Sequence, residues 1–412
     1  MTLTIATETP AFDGITRRKG LLTLLSGAML LAGCGGGGGG DGVAAVGGGG
    51  TGSLSVGPIS GIGSIIVNGV RFNDSLARVL DDDGAPRNRD ELKLGMMVRV
   101  KGKAISRTAD TASADCDEIT FGSELLGPID RIPSPQTTPA TLVVLGQTVQ
   151  ITANTIFEDG LTLTPLAVGN IVEVHGFVDP VTNVMTATRI ERKDLAKVKA
   201  FKLQGKTSDF AAPNFKLGGL AIAFDAFTNL GNLTLIAGLL VRVRLEPVLT
   251  APGITRKAIK IRAVEAETED RDEAEVEGII TALNPTSTTQ FSVNGLPVNA
   301  SGITVPAGLQ VGNRVEVEGR LVNGVLIAKK VERKGNDENE IREFELHGTV
   351  SGRTATSLTL TSSGKIVVKV SFTSGVFVNG LTDAGLRDGD KIEVKGVALP
   401  DGSIRATRIK RD

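Results

Sequence analysis

Few side chains in this 412-residue chain have the types and spacing that chemistry requires. There are two histidines, His175 and His347, two cysteines, Cys34 and Cys116, and a dense acidic run, Asp81-Asp-Asp-Gly84. His347 has no cysteine and no second histidine nearby, so neither a zinc site nor a serine–histidine relay is indicated. His175 occupies a slot that other parts of the chain fill with Lys101, Arg244, Glu318 and Lys395. A slot that accepts either sign of charge reads as an exposed strand face. The acidic run offers the oxygen ligands that Ca²⁺ prefers without the spacing of a calcium loop, and it reads as a solvated turn. The glycine runs at 35–40 and 47–50 follow no strand and precede no Gly-Lys-Ser/Thr, so they are not phosphate loops. The expectation is a protein that is not an enzyme, with no catalytic, cofactor or metal residues.

Cys34 carries a different chemistry. Arg17-Arg-Lys19 leads into a short apolar run that ends in Leu31-Ala-Gly-Cys34. A positive start, a short apolar stretch and small residues make a secretory signal peptide. The run is too short to span a membrane as a mature helix. Leu31-Ala-Gly-Cys34 resembles the bacterial lipobox, in which the cysteine is lipidated and becomes the new first residue. Thr16-Arg-Arg-Lys-Gly-Leu-Leu22 is also similar to a twin-arginine export motif, which leaves the export route open. Residues 1–33 are thus expected to be a lipoprotein signal peptide and 34–53 a flexible glycine tether. The lipid on Cys34 would hold the chain to a membrane on the extracytoplasmic side of a bacterial envelope, in the periplasm or at the outer membrane.

The elements that must position any site come from one repeated stretch. Gly95-Met-Met-Val-Arg-Val-Lys-Gly102 returns as Gly169-Asn-Ile-Val-Glu-Val-His-Gly176, Gly312-Asn-Arg-Val-Glu-Val-Glu-Gly319 and Gly389-Asp-Lys-Ile-Glu-Val-Lys-Gly396. A worn copy, Gly238-Leu-Leu-Val-Arg-Val-Arg-Leu245, lies between the second and third. The leading glycines are 74, 69, 74 and 77 residues apart, the signature of a tandem array of one small domain. The copies span 54–122, 124–193, 201–265, 274–334 and 343–412. Each opens with a short strand and continues through a hairpin, at Asn68-Gly69 and Asn294-Gly295 among others, where both turn positions need positive φ. A loop of variable length follows, long enough in most copies for a two-turn helix. The organising strand alternates with period two, as a half-buried strand does, and a final strand closes the unit. The fold class is all-β: five tandem five-stranded OB-like barrels, with an SH3-like barrel or small sandwich as the rival arrangement.

With those motifs in hand, the copies resemble a bacterial family of OB-like repeats described only as a domain of unknown function and common in exported lipoproteins. The resemblance covers about residues 56–412, and Leu245 departs from it by replacing the second glycine. It implies no catalytic residues.

Partners are bounded by charge and aromatics. The net charge is −1, Trp and Tyr are absent, and the 14 Phe read mostly as core. Nucleic-acid sites combine a basic groove with aromatic platforms, so no nucleic-acid partner is expected. The expected role is membrane-anchored binding, adhesion or spacing, the alternative being an envelope glycan or polymer binder that uses the variable loops. The joints between copies are charged: 189–206 holds seven basic and two acidic residues, and 265–277 holds eight acidic residues and only Arg271. Opposite signs on successive joints would bias how the copies pack. Finally, Cys116 aligns with Ala187, Ala258, Ala328 and Ala406, which marks a tight, core-facing slot for an unpaired thiol.

Overall fold

The computed structural model describes residues 52–412 apart from 110, 134–138, 159–160, 265–267, 336–341, 363–366 and 400. The expected signal peptide, Cys34, the expected tether through residue 51 and the expected turn at Ser363-Gly364 lie outside the described residues. No helix among the described residues is long and apolar enough to cross a membrane.

The described residues are almost all in β-strands and the turns and loops between them, and each copy closes into a barrel. Copy one shows the pattern. Its opening strand Ser53–Ile62 pairs with Ile65–Val67, which turns back into Val70–Asn73. The third strand runs parallel to the last, Ala112–Phe121, and the last pairs antiparallel with the organising strand Met97–Gly102. That strand returns antiparallel to the opening one, so the order is one-two-three-five-four and back to one. The same closed order holds in copy two, copy three, copy four and copy five. Closure removes the free edges that a flat five-stranded sheet would expose. The two-turn helix for which the longer loops have room does not form among the described residues. The loops hold single 3₁₀ turns, Arg89–Glu91 in copy one and Ser374–Val376 and Asp383–Gly385 in copy five. Gly84 and Pro86 in copy one, and Gly375, Gly380 and Gly385 in copy five, deprive them of a helical run.

Both glycines of the repeated motif have a steric cause. The leading ones sit at positive φ, from 78° at Gly95 to 92° at Gly312 and Gly389, a region that side chains rarely adopt. The second ones sit where the organising strand bulges against the final strand, with register shifts at Lys101/Gly102, His175/Gly176, Glu318/Gly319 and Lys395/Gly396. A Cβ on Gly176 or Gly319 would come within 2.1 Å of a carbonyl oxygen on the final strand. Copy three keeps the bulge at Arg244/Leu245 and sends Leu245, fully buried, into its core.

The described residues fall within one compact unit, and the barrels within it are joined through strands. The copy-one opening strand overhangs its own barrel. Ser53–Val56 pair in parallel with Glu273–Val276 of copy four, and Gly61 and Ile62 pair in parallel with Glu345 and Leu346 of copy five. Copies two and three meet through Leu125 and Leu126 against Leu203 and Lys202. The cores follow these joints. One cluster spans copies one and five, a second spans copies two and three, and Leu54 of copy one enters the core of copy four. The chain therefore doubles back, so that copies distant in sequence share sheet and core.

Candidate functional site

The outer face of copy three supplies the basic wall of a cleft. Its opening, organising and final strands run side by side, and their outward residues form rows: Lys202, Arg244 and Lys260 in one, Gln204, Arg242 and Arg262 in the next. The first row receives the acidic loop of copy one. The Asp82 carboxylate lies 2.9 Å from Arg244 and 3.4 Å from Lys202, and Asp83 lies 2.6 Å from Lys260 and 2.5 Å from Arg244. Only 4% of the Asp82 side chain is exposed. The turn expected to be solvated at Asp81-Asp-Asp-Gly84 is thus a latch between copies one and three, with the Asp82 side chain buried and Asp83 and Gly84 at its exposed edge. Its charges are spent on basic side chains, which is why the run need not serve a cation.

Beside the latch the second row opens onto a cleft of about 450 Å³, lined by residues of copies one to four. Six basic side chains line it against three acidic ones, so its field favours anions. Met97, Phe177 and Ile279, one from each of copies one, two and four, make a small apolar cluster, and Met97 and Phe177 also line the cleft. The Lys206 Nζ donates to the Thr281 carbonyl of copy four at 2.8 Å. No carboxylate among the described residues stands within ion-pair reach of Lys206, and burial lowers its pKa. Arg262 is held by Asn229, and the Arg242 guanidinium donates to Gln204 at 3.0 Å while its buried Nε has no partner. Glu124, at the joint of copies one and two, accepts from the Gly176 amide at 3.1 Å. Burial raises its carboxyl to about 7 against the opposing pull of that amide and of Arg242. A second cavity, of about 510 Å³, is lined by Arg87, Glu91, Glu173, Glu191, Lys193 and Lys202 among others, and its lining charges pair with one another, as Lys193 does with Glu173 and Glu191.

The histidines sit at joints. His175 is 1% exposed, which corrects the expectation of an exposed strand face. Its slot faces outward from its own barrel, but in copy two that face is covered, with Lys202 of copy three and the buried Arg189–Glu191 pair nearby. Burial lowers the ring's pKa to about 4, so His175 is neutral at pH 7. His347 lies between copies five and one. Its ligand atoms and those of Glu345 and Glu393 fall within 4.8 Å of one another, a grouping that sequence spacing did not signal. Four cations already hold the two carboxylates: Arg71 and Lys395 hold Glu345, at 2.7 and 3.0 Å, and Arg408 and Lys410 hold Glu393, at 3.1 and 2.7 Å. Asp412 closes the other side, 2.9 Å from His347 Nδ1. The hydrogen bond from His347 and these cations keep the Glu345 carboxyl well below the usual range. The cluster is an ion-paired clasp between copies.

Cys116 sits as its alignment requires. It is buried and opposes Gly102, just as Ala187 opposes Gly176 and Ala328 opposes Gly319. Its thiol is pushed up to about 12, chiefly by burial.

Residues 127–191, 277–332 and 347–410 match the family model described as Domain of unknown function (DUF5666). The domain recurs in tandem. The matches fall on copies two, four and five, and copies one and three close in the same strand order. A comparison with curated proteins finds no match.

Proposed function

We propose that the protein is a membrane-anchored, extracytoplasmic binding lipoprotein without catalysis, its five copies OB-like barrels assembled into one body. The strand order one-two-three-five-four supports the OB-like reading. The cleft carries the functional one: four copies converge on about 450 Å³ of charged, open surface, within the size range of small-ligand sites. The charge clusters elsewhere are closed by their own ion pairs, which favours binding over chemistry. Adhesion or spacing alone would need no such cleft, so the glycan or small-polymer alternative gains weight from it. Leu31-Ala-Gly-Cys34 supports the lipid anchor.

Two experiments test this reading. A thermal-shift screen of the full chain against envelope glycans and their fragments should find ligands that raise the melting temperature, whereas a screen without hits would leave the spacer role. Cys34→Ala should block fatty-acid labelling, and a wild-type chain that takes up no label would remove the anchor.

A further inference from the structure

We propose that Arg242 and Arg262 of the second row of copy three, with Lys206 beside them, bind the carboxylate or phosphate group of a small organic anion in the central cleft. The inference deepens the binding role proposed above and does not depend on where the protein is anchored.

Three observations carry it. First, Arg242 and Arg262 are direct cross-strand partners. Like charges placed opposite each other on adjacent strands repel, and no carboxylate among the described residues sits between them as Asp82 and Asp83 sit in the neighbouring row. Arg242 reaches only the edge of the latch, 3.6 Å from Asp82, and Arg262 binds the neutral Asn229. Second, Lys206 projects from the same outer face two residues beyond Gln204, the cross-strand partner of Arg242. It is half-buried, and its ammonium bonds a carbonyl of copy four rather than a carboxylate. Third, the buried Nε of Arg242 has no hydrogen-bond partner, and a guanidinium fork is suited to grip an oxyanion through two N–H groups.

The latch shows what this face accepts. In the adjoining row, copy one supplies two carboxylates to Lys202, Arg244 and Lys260 on the same three strands. The second row keeps two cations, Arg242 and Arg262, on the same strand frame, but opens onto a cleft. Met97 and Phe177 lie on the cleft lining and offer apolar surface to the body of a ligand whose charged end meets the row. The volume suits one or two sugar rings or a molecule of that size. Glu124 lies on the same lining, and its protonation near neutral pH, as burial directs, would remove a competing negative charge.

The test is calorimetric titration of the full chain with inorganic phosphate, with glucuronate and with glucose as the neutral control. The expected result is that at least one of the two anions binds and glucose does not. Binding of glucuronate alone assigns a carboxylate ligand, and binding of phosphate alone a phosphorylated one. Arg262→Gln should weaken anion binding at least tenfold while its thermal melt stays at the wild-type value, and Arg262→Lys, which keeps the charge, should recover part of the loss. The proposal is overturned if neither anion binds, or if Arg262→Gln and Lys206→Gln bind as the wild type does. It is equally overturned if glucose binds in their place, and that outcome leaves the broader binding role standing.

Discussion

Replacing Asp82 by alanine tests whether the copies are locked to one another. The carboxylate is 4% exposed and stands against Arg244 at 2.9 Å, Lys202 at 3.4 Å and Arg242 at 3.6 Å, whose side chains are 17%, 14% and 31% exposed. Removing it leaves those cations facing one another with little water to replace it. Breaking a buried ion pair from one side costs about 3–5 kcal/mol, and the partial exposure of the cations puts this case near the lower end, about 3 kcal/mol. Asp83→Ala is the internal comparison. Its side chain is 36% exposed, so the loss should be nearer ~1 kcal/mol. Asp82→Ala combined with Arg244→Ala should cost less than the sum of the two single changes, because the second removes a charge the first left stranded. Urea unfolding of residues 52–412 measures the totals. Native-state hydrogen exchange should place the loss at the joint of copies one and three, seen at amides of the acidic loop such as Ala85, which donates to Asp81. An Asp82→Ala cost below ~0.5 kcal/mol, or one equal to that of Asp83→Ala, would refute the latch.

Three further predictions follow from buried groups. His175 has a folded-state pKa of about 4, below the value near 6.5 of an unfolded chain, so the unfolded state takes up its proton first as pH falls. Stability is therefore lost between about pH 6.5 and 4, by about 3 kcal/mol from this residue, and the difference between wild type and His175→Gln across that window measures it. Glu275, 3% exposed beside Arg107, is raised to about 7 by burial. Its contribution has the opposite sign, present below about pH 4.5 and lost as pH rises to about 7, so Glu275→Gln should gain stability relative to the wild type at pH 8 and not at pH 4. Cys116→Ala should be close to neutral and Cys116→Leu should cost about 1–3 kcal/mol by overpacking, with slow labelling of the native thiol. Rapid labelling would show that the alanine slot faces solvent.

The sequence makes the barrels legible because their causes are local. The motif glycines, the turns at Asn68-Gly69 and Asn294-Gly295, and the alternation of Val172 and Val174 with Glu173 each follow from strand geometry within one copy. Period two says which side of a strand faces its own core. It cannot say whether another copy covers the other side, and that is where the reading of His175 and of Asp81-Asp-Asp-Gly84 departs from the structure. His175 and Asp82 lie on outward positions that become interior when copies dock. The pairing of Ser53–Val56 with Glu273–Val276 joins residues too far apart for any local pattern to announce. The acidic joint did carry a trace of it: Glu269 meets Lys101, and Glu275 meets Arg107 of copy one. The cleft leaves no motif, since its walls come from four copies. Its one sequence signal was the run of basic residues at 242, 244, 260 and 262, which only the strand register arranges into rows.

Small-angle scattering of residues 52–412 tests most directly whether the five barrels form one body, on which the latch and the cleft both depend. A single packed body of this length should give a radius of gyration of about 21 Å, and five barrels strung on flexible joints roughly 30 Å. A value near the first supports the account, and one near the second contradicts it.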